Sequence, residues 1–326
     1  MSPEELSQKI GERLNRSKRV LIVSHIRPDG DAVGSVLGLG LALEAAGKAV
    51  QMVLVDGVPD ALRFIVESDR ILTAPSGDFD TIVIVDAADF HRIGDALKGY
   101  GTPDINIDHH VSNTLFGQLN LVESEASATS EILAERLPKW GFPISEKSAQ
   151  ALMTGLLTDT IGFRIPSVTP KTLRLAASLM EMGVDISDLY AKALLTRSFT
   201  AAKYWGAGLS SLQQKDGMVW CSLTLADRAE ALYSGRDDAD LINILSGIRE
   251  SEIAMIFVEQ SENRVKVSWR AQPGYDVSQI AANFGGGGHR AAAGADIEGS
   301  LVEVQQKVLD LTRNFVNSPS KLGDRS

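Results

Sequence analysis

The residues in this chain that are best suited to chemistry are histidines that lie beside aspartates. Asp108-His109-His110 form one run, and His25 is followed closely by Asp29 and Asp31. Imidazole and carboxylate groups are costly to bury and are not needed for folding. Without thiolates, they suit a site for Mn, Fe, Co or Zn. The alternative is a polar loop whose histidines have no chemical role, because short motifs often arise by chance.

Buried strands and helices that alternate along the chain must position these residues. Continuous apolar runs predict strands at 19–23, 50–55, 81–85 and 105–107, and a helix is expected at 32–46. The alternation predicts an α/β fold with a parallel sheet and helices on both of its faces.

Three of the predicted strands are followed directly by polar residues. His25, Asp29 and Asp31 follow the first strand, Asp86 follows the third, and Asp108-His109-His110 follow the fourth. Ligands of open parallel sheets bind at the carboxyl ends of the strands, so we expect the three groups to meet in one crevice. Each aspartate by itself could instead be a turn former or a helix cap, with Asp31 as the N-cap of the next helix.

A fourth polar position is Asp159, which follows an apolar helix predicted at 148–157. A carboxylate at the C-terminal end of a helix opposes the helix dipole, so a compensating cation is expected nearby. A bound metal ion would supply that charge, and an ion pair with Arg164 is the alternative. The nearby arginines Arg27, Arg92 and Arg164 are otherwise interpreted as solvated surface residues.

Together the four segments resemble the DHH phosphoesterase superfamily over about the first 190 residues. The first motif reads His-x-x-Pro-Asp-Gly-Asp-Ala-x-Gly-Ser from residue 25, and the lone Asp86, the Asp-His-His run and Asp159 are the other three. One departure is visible, because Ile161 follows Thr-Asp-Thr at a place where the family often has glycine.

The resemblance implies two divalent metal ions, with Mn²⁺ favoured and Mg²⁺ or Co²⁺ as alternatives. One ion would have the ligands His25, Asp29 and Asp86, and the other would have Asp31, Asp86, His109 and Asp159. Asp86 would bridge the two ions, Asp108 would orient His109 or His110, and His110 would face the scissile phosphate.

A second candidate site is the glycine run that ends in Gly286, Gly287 and Gly288 and is followed by His289. Consecutive free N–H groups would form an anion nest for a phosphate, whereas a flexible linker is the alternative. The run resembles the Gly-Gly-Gly-His motif of the DHH-associated C-terminal domain. This implies that His289 and a strand arginine hold a phosphate or nucleotide, with Arg270 the first candidate and Arg264 the second.

The organisation expected from these patterns is a DHH domain at 1–190, a helical linker at 191–214, a smaller α/β domain with a mixed sheet at 215–316, and a disordered tail at 317–326. The formal net charge of −10 argues against binding of long nucleic acid. The single cysteine, Cys221, is expected to be a buried inert thiol. Without a basic leader or a long apolar run, we expect a cytoplasmic protein that binds no membrane, and a homodimer remains open.

The resemblance favours the branch of the family that degrades very short RNA to mononucleotides and removes the 3'-phosphate of adenosine 3',5'-bisphosphate (pAp). One alternative is a phosphodiesterase acting on cyclic di-AMP or its linear product pApA. Another is a nucleotide-binding regulator without catalysis. A pyrophosphatase is less favoured, because the glycine motif belongs to the C-terminal domain of relatives that act on nucleotides.

Overall fold

The computed structural model describes residues 3–316, which form two compact units that divide between Thr196 and Arg197. The segment 191–214, predicted to be a linker, contains a π-helical turn, a helix and the start of a strand. The predicted disordered tail, 317–326, lies outside the described residues.

The first unit contains a sheet of five parallel strands. They are β1 (Arg19–Val23), β2 (Ala49–Val53), β3 (Thr81–Val85), β4 (Ile105–Asp108) and β5 (Leu119–Val122). Their order is β2-β1-β3-β4-β5, so the direction of chain progression reverses between β1 and β3. The predicted parallel sheet is confirmed. This reversal is the topological switch point at which open α/β sheets bind their ligands.

The helices of the first unit include those predicted at 32–46 and 148–157. They are α1 (Pro3–Arg16), α2 (Gly30–Ala45), α3 (Thr129–Lys139), α4 (Glu146–Asp159), α5 (Pro170–Glu181) and α6 (Ile186–Tyr190), which continues into the π-helical turn Ala191–Leu195. Short 3₁₀ turns occur at Asp60–Leu62, Ser68–Arg70 and Phe90–Ile93.

Each face of this sheet has its own apolar core. Val20 and Ile22 of β1 belong to a large core that also includes residues of α1, α2, α3 and α4. Leu21 and Val23, which alternate with them, pack with Ile93 of the 3₁₀ turn Phe90–Ile93 on the other face. The second face is therefore covered by a short helical turn and its neighbouring chain.

Helices α2 and α4 approach each other closely because glycines lie between them. A Cβ atom on Gly34 would lie 2.5 Å from the carbonyl oxygen of Ala151 and 2.9 Å from the backbone nitrogen of Gly155. A Cβ atom on Gly155 would lie 2.7 Å from Oδ1 of Asp31. These glycines thus determine both the helix packing and the space around Asp31.

The second unit contains the predicted mixed sheet. Its strands are β6 (Gln213–Lys215), β7 (Met218–Leu223), β8 (Ile253–Ser261), β9 (Arg264–Ala271), β10 (Gly287–His289) and β11 (Ala292–Glu298). The order is β10-β11-β9-β8-β7-β6, with β7 and β8 parallel and the other pairs antiparallel. The helices are α7 (Phe199–Ser210), α8 (Leu225–Ala231), α9 (Leu241–Leu245), α10 (Val277–Ala282) and α11 (Leu301–Val316).

Helix α9 begins only at Leu241, because Ala239 and Asp240 before it adopt left-handed backbone angles (φ 52° and 66°) that a right-handed helix cannot contain. Cys221 is fully buried in β7, as expected, and burial raises the pKa of its thiol to about 12.

None of the helices among residues 3–316 combines the length and the apolar character that a bilayer span requires.

We predict that Gly34→Ala lowers the free energy of unfolding by about 1–3 kcal/mol, because the added methyl group would press on the backbone of α4. Gly206→Ala is the matched control, since Gly206 is exposed in α7 and its added Cβ would have no described atom within 4 Å. That substitution should instead stabilise by about 0.5–1 kcal/mol. Urea unfolding followed by circular dichroism measures both, and equal effects would contradict the close-packing argument.

Candidate metal centre and glycine motif

The polar residues that follow β1, β3 and β4 lie together at one edge of the first sheet. Within the described residues of the first unit, three groups have possible ligand atoms within 4.8 Å of one another: His25 with Asp29 and Asp86, Asp31 with Asp86 and His109, and Asp86 with Asp108 and His110. Asp159 at the end of α4 joins them, because its Oδ2 lies 3.4 Å from Nε2 of His109. The expected convergence of the strand ends is therefore present in the structure.

Asp86 is the residue common to all three groups. Its Oδ2 lies 3.5 Å from Nε2 of His25, whereas its Oδ1 lies 3.8 Å from Nε2 of His109 and accepts a hydrogen bond from Oγ1 of Thr129 at 3.0 Å. Its backbone is left-handed (φ 55°), an uncommon conformation that aspartate tolerates better than most residues. The two carboxylate oxygens thus face different histidines, as a bridging ligand requires.

The rings of His25 and His109 are oriented by backbone carbonyl groups. Nδ1 of His25 lies 2.8 Å from the oxygen of Ile26, and Nδ1 of His109 lies 3.3 Å from the oxygen of Ala126. When Nδ1–H donates to these oxygens, the lone pair of each Nε2 faces the carboxylates. Carbonyl groups commonly fix metal-binding histidines in this way, so the donor set fits a metal ion.

Asp29 caps helix α2 and also faces the site. Its Oδ1 accepts hydrogen bonds from the backbone nitrogens of Asp31 and Ala32, both at 3.1 Å, and its Oδ2 lies 3.8 Å from Nε2 of His25. The interpretation of Asp31 as the N-cap is therefore wrong. The helix begins at Gly30, which places Asp31 inside its first turn.

Asp31 is buried and is held by the start of α3. Its Oδ2 accepts a hydrogen bond from the backbone nitrogen of Thr129 at 2.6 Å, and its Oδ1 accepts one from that of Ser130 at 3.0 Å. The N-terminal end of a helix favours negative charge. Sequence reasoning missed both residues, although the hydroxyl-rich run Ser127-Ala128-Thr129-Ser130 is a recognisable helix start.

The carboxylates of this site strongly perturb one another. Burial, and then the charge of Asp86, raises the pKa of Asp31 to about 7. Burial and the neighbouring carboxylates of Asp31 and Asp29 likewise raise the pKa of Asp159 well above its ordinary value. The pKa of Asp86 is lowered, because contacts with His25 and the other histidines outweigh the opposing effect of burial. A divalent cation would relieve this excess of negative charge.

The histidines have raised pKa values for the same reason. Burial lowers the pKa of His25, but the carboxylates of Asp86 and Asp29 outweigh it and the net shift is upward. For His109, too, burial lowers the pKa and the charges of Asp86 and Asp31 raise it by more. Protons and metal ions therefore compete for this site.

Asp108 orients His110 rather than His109. Its Oδ1 accepts a hydrogen bond from Nδ1 of His110 at 2.7 Å, and its Oδ2 accepts one from Nδ2 of Asn113 at 2.6 Å. Asn113 also donates to the oxygen of Ala87 at 3.2 Å, which ties this loop to the loop after β3. Sequence reasoning missed Asn113, whose signal is an amide five residues after the buried Asp108.

The contact between Asp159 and His109 replaces the alternative pairing with Arg164. Among residues 3–316, Asp159 and Arg164 do not form an ion pair, because the chain turns away after α4. Ile161, Gly162 and Phe163 all have left-handed backbones (φ 50°, 69° and 65°). Ile161, the departure from the family pattern, thus occupies a conformation that favours glycine.

The glycine run in the second unit is an edge strand rather than an open nest. Gly287 pairs with Gly294 and His289 with Ala292 in the antiparallel pair β10–β11. The N–H groups of the two preceding glycines, 285 and 286, donate to carbonyl oxygens of α10. The expectation of consecutive free N–H groups is therefore wrong for them. Gly288 is required sterically, because its φ is +143° and an added Cβ would lie 2.5 Å from the oxygen of Ala292.

The two candidate arginines lie at opposite ends of β9. Arg270 is opposite Ala292, which is itself opposite His289. Arg264 is opposite Glu298, about 20 Å away along the strand at 3.3 Å per residue. The structure therefore brings Arg270, but not Arg264, to the end of the sheet that carries the glycine motif. Nε of Arg270 is buried and has no hydrogen-bond partner in the part of the chain that the structure describes, and burial lowers the pKa of its guanidinium.

Comparison with known proteins agrees with this arrangement. A model of the N-terminal domain of the DHH family matches residues 19–156, and a model of the DHHA1 domain matches residues 230–318. The first match contains every residue of the candidate metal centre except Asp159. The second contains the glycine motif, His289 and both strand arginines.

Full-length relatives extend the likeness to most of the chain. The bifunctional oligoribonuclease and PAP phosphatase NrnA of Thermus thermophilus is 34% identical, over 90% of this chain and 89% of the relative. The cyclic-di-AMP phosphodiesterase PdeA of Listeria monocytogenes is 22% identical, over 93% of this chain but 48% of the relative.

A solved structure shares the architecture of this chain. The crystal structure of an exopolyphosphatase-related protein from Bacteroides fragilis superposes with a TM-score of 0.88 at 26% identity, covering 97% of this chain and 98% of that one. The matched domains, the order of the site residues and the full-length relative agree with one another. This chain therefore belongs to the DHH phosphoesterase family, with a DHH domain followed by a DHHA1 domain.

Proposed function

We propose that this protein hydrolyses very short RNA oligonucleotides to mononucleotides and removes the 3'-phosphate of pAp. The observation that carries the proposal is the placement of Asp86, whose two oxygens face different histidines at the centre of a buried Asp and His cluster. The identity to the Thermus thermophilus relative, which bears both activities in its name, supports the choice of substrates.

Two divalent ions are proposed as cofactors, with Mn²⁺ favoured over Mg²⁺ or Co²⁺. The proposed ligands of the first ion are His25, Asp29 and Asp86, and those of the second are Asp31, Asp86, His109 and Asp159. A pair of such ions, when bound, activates water for in-line attack at phosphorus and stabilises the leaving oxygen. Imidazole and carboxylate donors suit manganese, which accepts both nitrogen and oxygen ligands.

His110 is the proposed contact to the reacting phosphate. Because Asp108 accepts a hydrogen bond from Nδ1 of His110, the ring orientation is fixed before substrate binds. Burial lowers the pKa of His110, but the hydrogen bond to Asp108 and the charge of Asp86 outweigh it, so the net shift is upward. A protonated imidazole donates to a phosphate oxygen more strongly than a neutral one does.

The glycine motif of the second unit is the proposed holder of a further phosphate on the nucleotide. Gly287, whose added Cβ would meet no atom of residues 3–316 within 4 Å, leaves the backbone open to an anion, whereas Gly286 and Gly288 let the run pack closely on β11. His289 and Arg270 supply donors beside them. Arg270 is suited to this role because its buried Nε has no hydrogen-bond partner among residues 3–316. Arg264, at the other end of β9, is not included in the proposed site.

The second candidate function is hydrolysis of cyclic di-AMP or pApA, which the likeness to the Listeria relative favours. The two candidates differ in substrate size and require the same metal centre.

We predict that with Mn²⁺ the kcat/KM for pAp and for a dinucleotide exceeds that for cyclic di-AMP by at least about tenfold, a difference of about 1.4 kcal/mol in transition-state binding. Chromatographic assays of released nucleotide and phosphate measure this, and the reverse order would favour the phosphodiesterase. No turnover of any of these substrates would favour a regulator that binds nucleotides.

We predict that Asp86→Ala lowers kcat/KM for pAp by at least about 1000-fold, because one substitution removes a ligand from both proposed ions. Steady-state assays with Mn²⁺ measure the loss, and circular dichroism shows whether the fold is kept. Asp69→Ala is the control, since Asp69 is exposed in a 3₁₀ turn and should leave activity unchanged. Near-normal turnover by Asp86→Ala would refute the shared-ligand assignment.

Metal binding should stabilise the protein more at about pH 8 than at about pH 5.5. The pKa of Asp31 is raised to about 7, so in the metal-free protein its ionisation costs stability progressively as the pH rises from about 4 to that value. A metal ion binds the ionised form and removes this cost, while at low pH protons occupy the same groups. Thermal melts with and without Mn²⁺ at the two pH values measure the difference. A metal-induced shift in Tm that does not change with pH would contradict this electrostatic account.

A further inference from the structure

Arg92 lies against the candidate metal centre and contacts His25, one of the proposed metal ligands. Its Nη2 is 3.2 Å from Nδ1 of His25, and its side chain is half-buried. Within residues 3–316 no carboxylate lies close enough to Arg92 to form an ion pair with it. The interpretation of Arg92 as a solvated arginine is therefore wrong.

The backbone of Arg92 is fixed from both sides. Its nitrogen donates to Oδ1 of Asp89 at 3.2 Å, and its carbonyl oxygen accepts a hydrogen bond from the nitrogen of Ile26 at 2.7 Å. The next residue, Ile93, is fully buried in the core on that face of the sheet. The guanidinium of Arg92 can therefore change its partner by rotation of the side chain, while these backbone hydrogen bonds stay in place.

Two groups compete for the same nitrogen of His25. Nδ1 lies 2.8 Å from the oxygen of Ile26, to which it can only donate, and 3.2 Å from Nη2 of Arg92, from which it can only accept. One ring nitrogen cannot do both. If Nε2 of His25 is to bind a metal ion, Nδ1 must carry the hydrogen and donate to Ile26. The guanidinium of Arg92 then loses its hydrogen-bond partner.

We infer that Arg92 binds the phosphoryl group that is cleaved, and that its guanidinium leaves His25 when that histidine becomes a metal ligand. This inference rests on the proposed function, since it assumes a phosphate ester as substrate. A guanidinium presents paired N–H groups that match phosphate oxygens, and it keeps its charge at any physiological pH. The guanidinium of Arg92 would therefore leave His25 when the metal ion binds, and the site with metal bound is the one that accepts substrate.

Arg92→Met and Arg92→Lys test both parts of this inference. The methionine variant removes the charge and the donors, whereas the lysine variant keeps the charge on a group without the planar fork. Arg174→Met is the control, because Arg174 is exposed in α5 and its loss changes the net charge equally. Titration calorimetry measures Mn²⁺ binding to each metal-free protein, and then binding of inorganic phosphate to each Mn²⁺-loaded protein.

Opposite changes in the two affinities are expected. Mn²⁺ should bind both Arg92 variants about fivefold more tightly, because a competing hydrogen bond to His25 has been removed. Phosphate should bind Arg92→Met about 10- to 100-fold more weakly, with Arg92→Lys intermediate. The control should match wild type in both measurements.

Three results would overturn the inference. A loss of both affinities in Arg92→Met would make Arg92 a structural support for His25. Unchanged phosphate affinity would remove Arg92 from the substrate site. Tighter Mn²⁺ binding by the methionine variant alone would mean that charge, and not competition for Nδ1, is responsible. The proposed function fails separately, if wild-type protein with Mn²⁺ turns over neither pAp nor a dinucleotide.

Discussion

The first unit must offset the mutual repulsion of the buried carboxylates in its metal centre. Asp31 and Asp86 are both almost fully buried within one cluster, and neither forms an ion pair with a lysine or arginine among residues 3–316. Burial, and then the like charge of Asp86, disfavours the ionised form of Asp31 and raises its pKa to about 7. The start of α3 and the surrounding histidines offset part of this repulsion. A pair of divalent ions would offset the rest.

The fold places this cluster in the crevice at the carboxyl ends of the parallel strands, beside the closely packed helices α2 and α4. The switch point between β1 and β3 creates the crevice, and the short connections after β1, β3 and β4 direct polar side chains into it. The glycines between α2 and α4 allow the helices to meet closely enough to place Asp159 and Asp31 in the same site. Function and stability are thus linked, because the same close packing that buries apolar surface also concentrates the charge.

Sequence patterns predict the strand-end residues well, because continuous apolar runs mark the buried strands and the polar residues directly after them mark the strand ends. They failed where the answer depends on contacts between distant segments. Thr129, Ser130 and Asn113 look like ordinary helix-start and loop residues until their partners Asp31 and Asp108 are placed beside them. The composition of the glycine run predicts an open nest, because its pairing with β11 and its hydrogen bonds to α10 leave no signal in composition. Likewise, Arg264 and Arg270 could be separated only once the register of β9 was known.

The stoichiometry of Mn²⁺ tests the central claim most directly, because it does not depend on the identity of the substrate. We expect metal-free protein to bind two ions per chain in titration calorimetry, with elemental analysis as an independent count. Asp86→Asn keeps the size of the side chain but removes its charge, and it should lose tight binding of both ions, while Asp69→Asn should behave as wild type. Two ions bound to Asp86→Asn with unchanged affinity would contradict a centre built around one shared carboxylate.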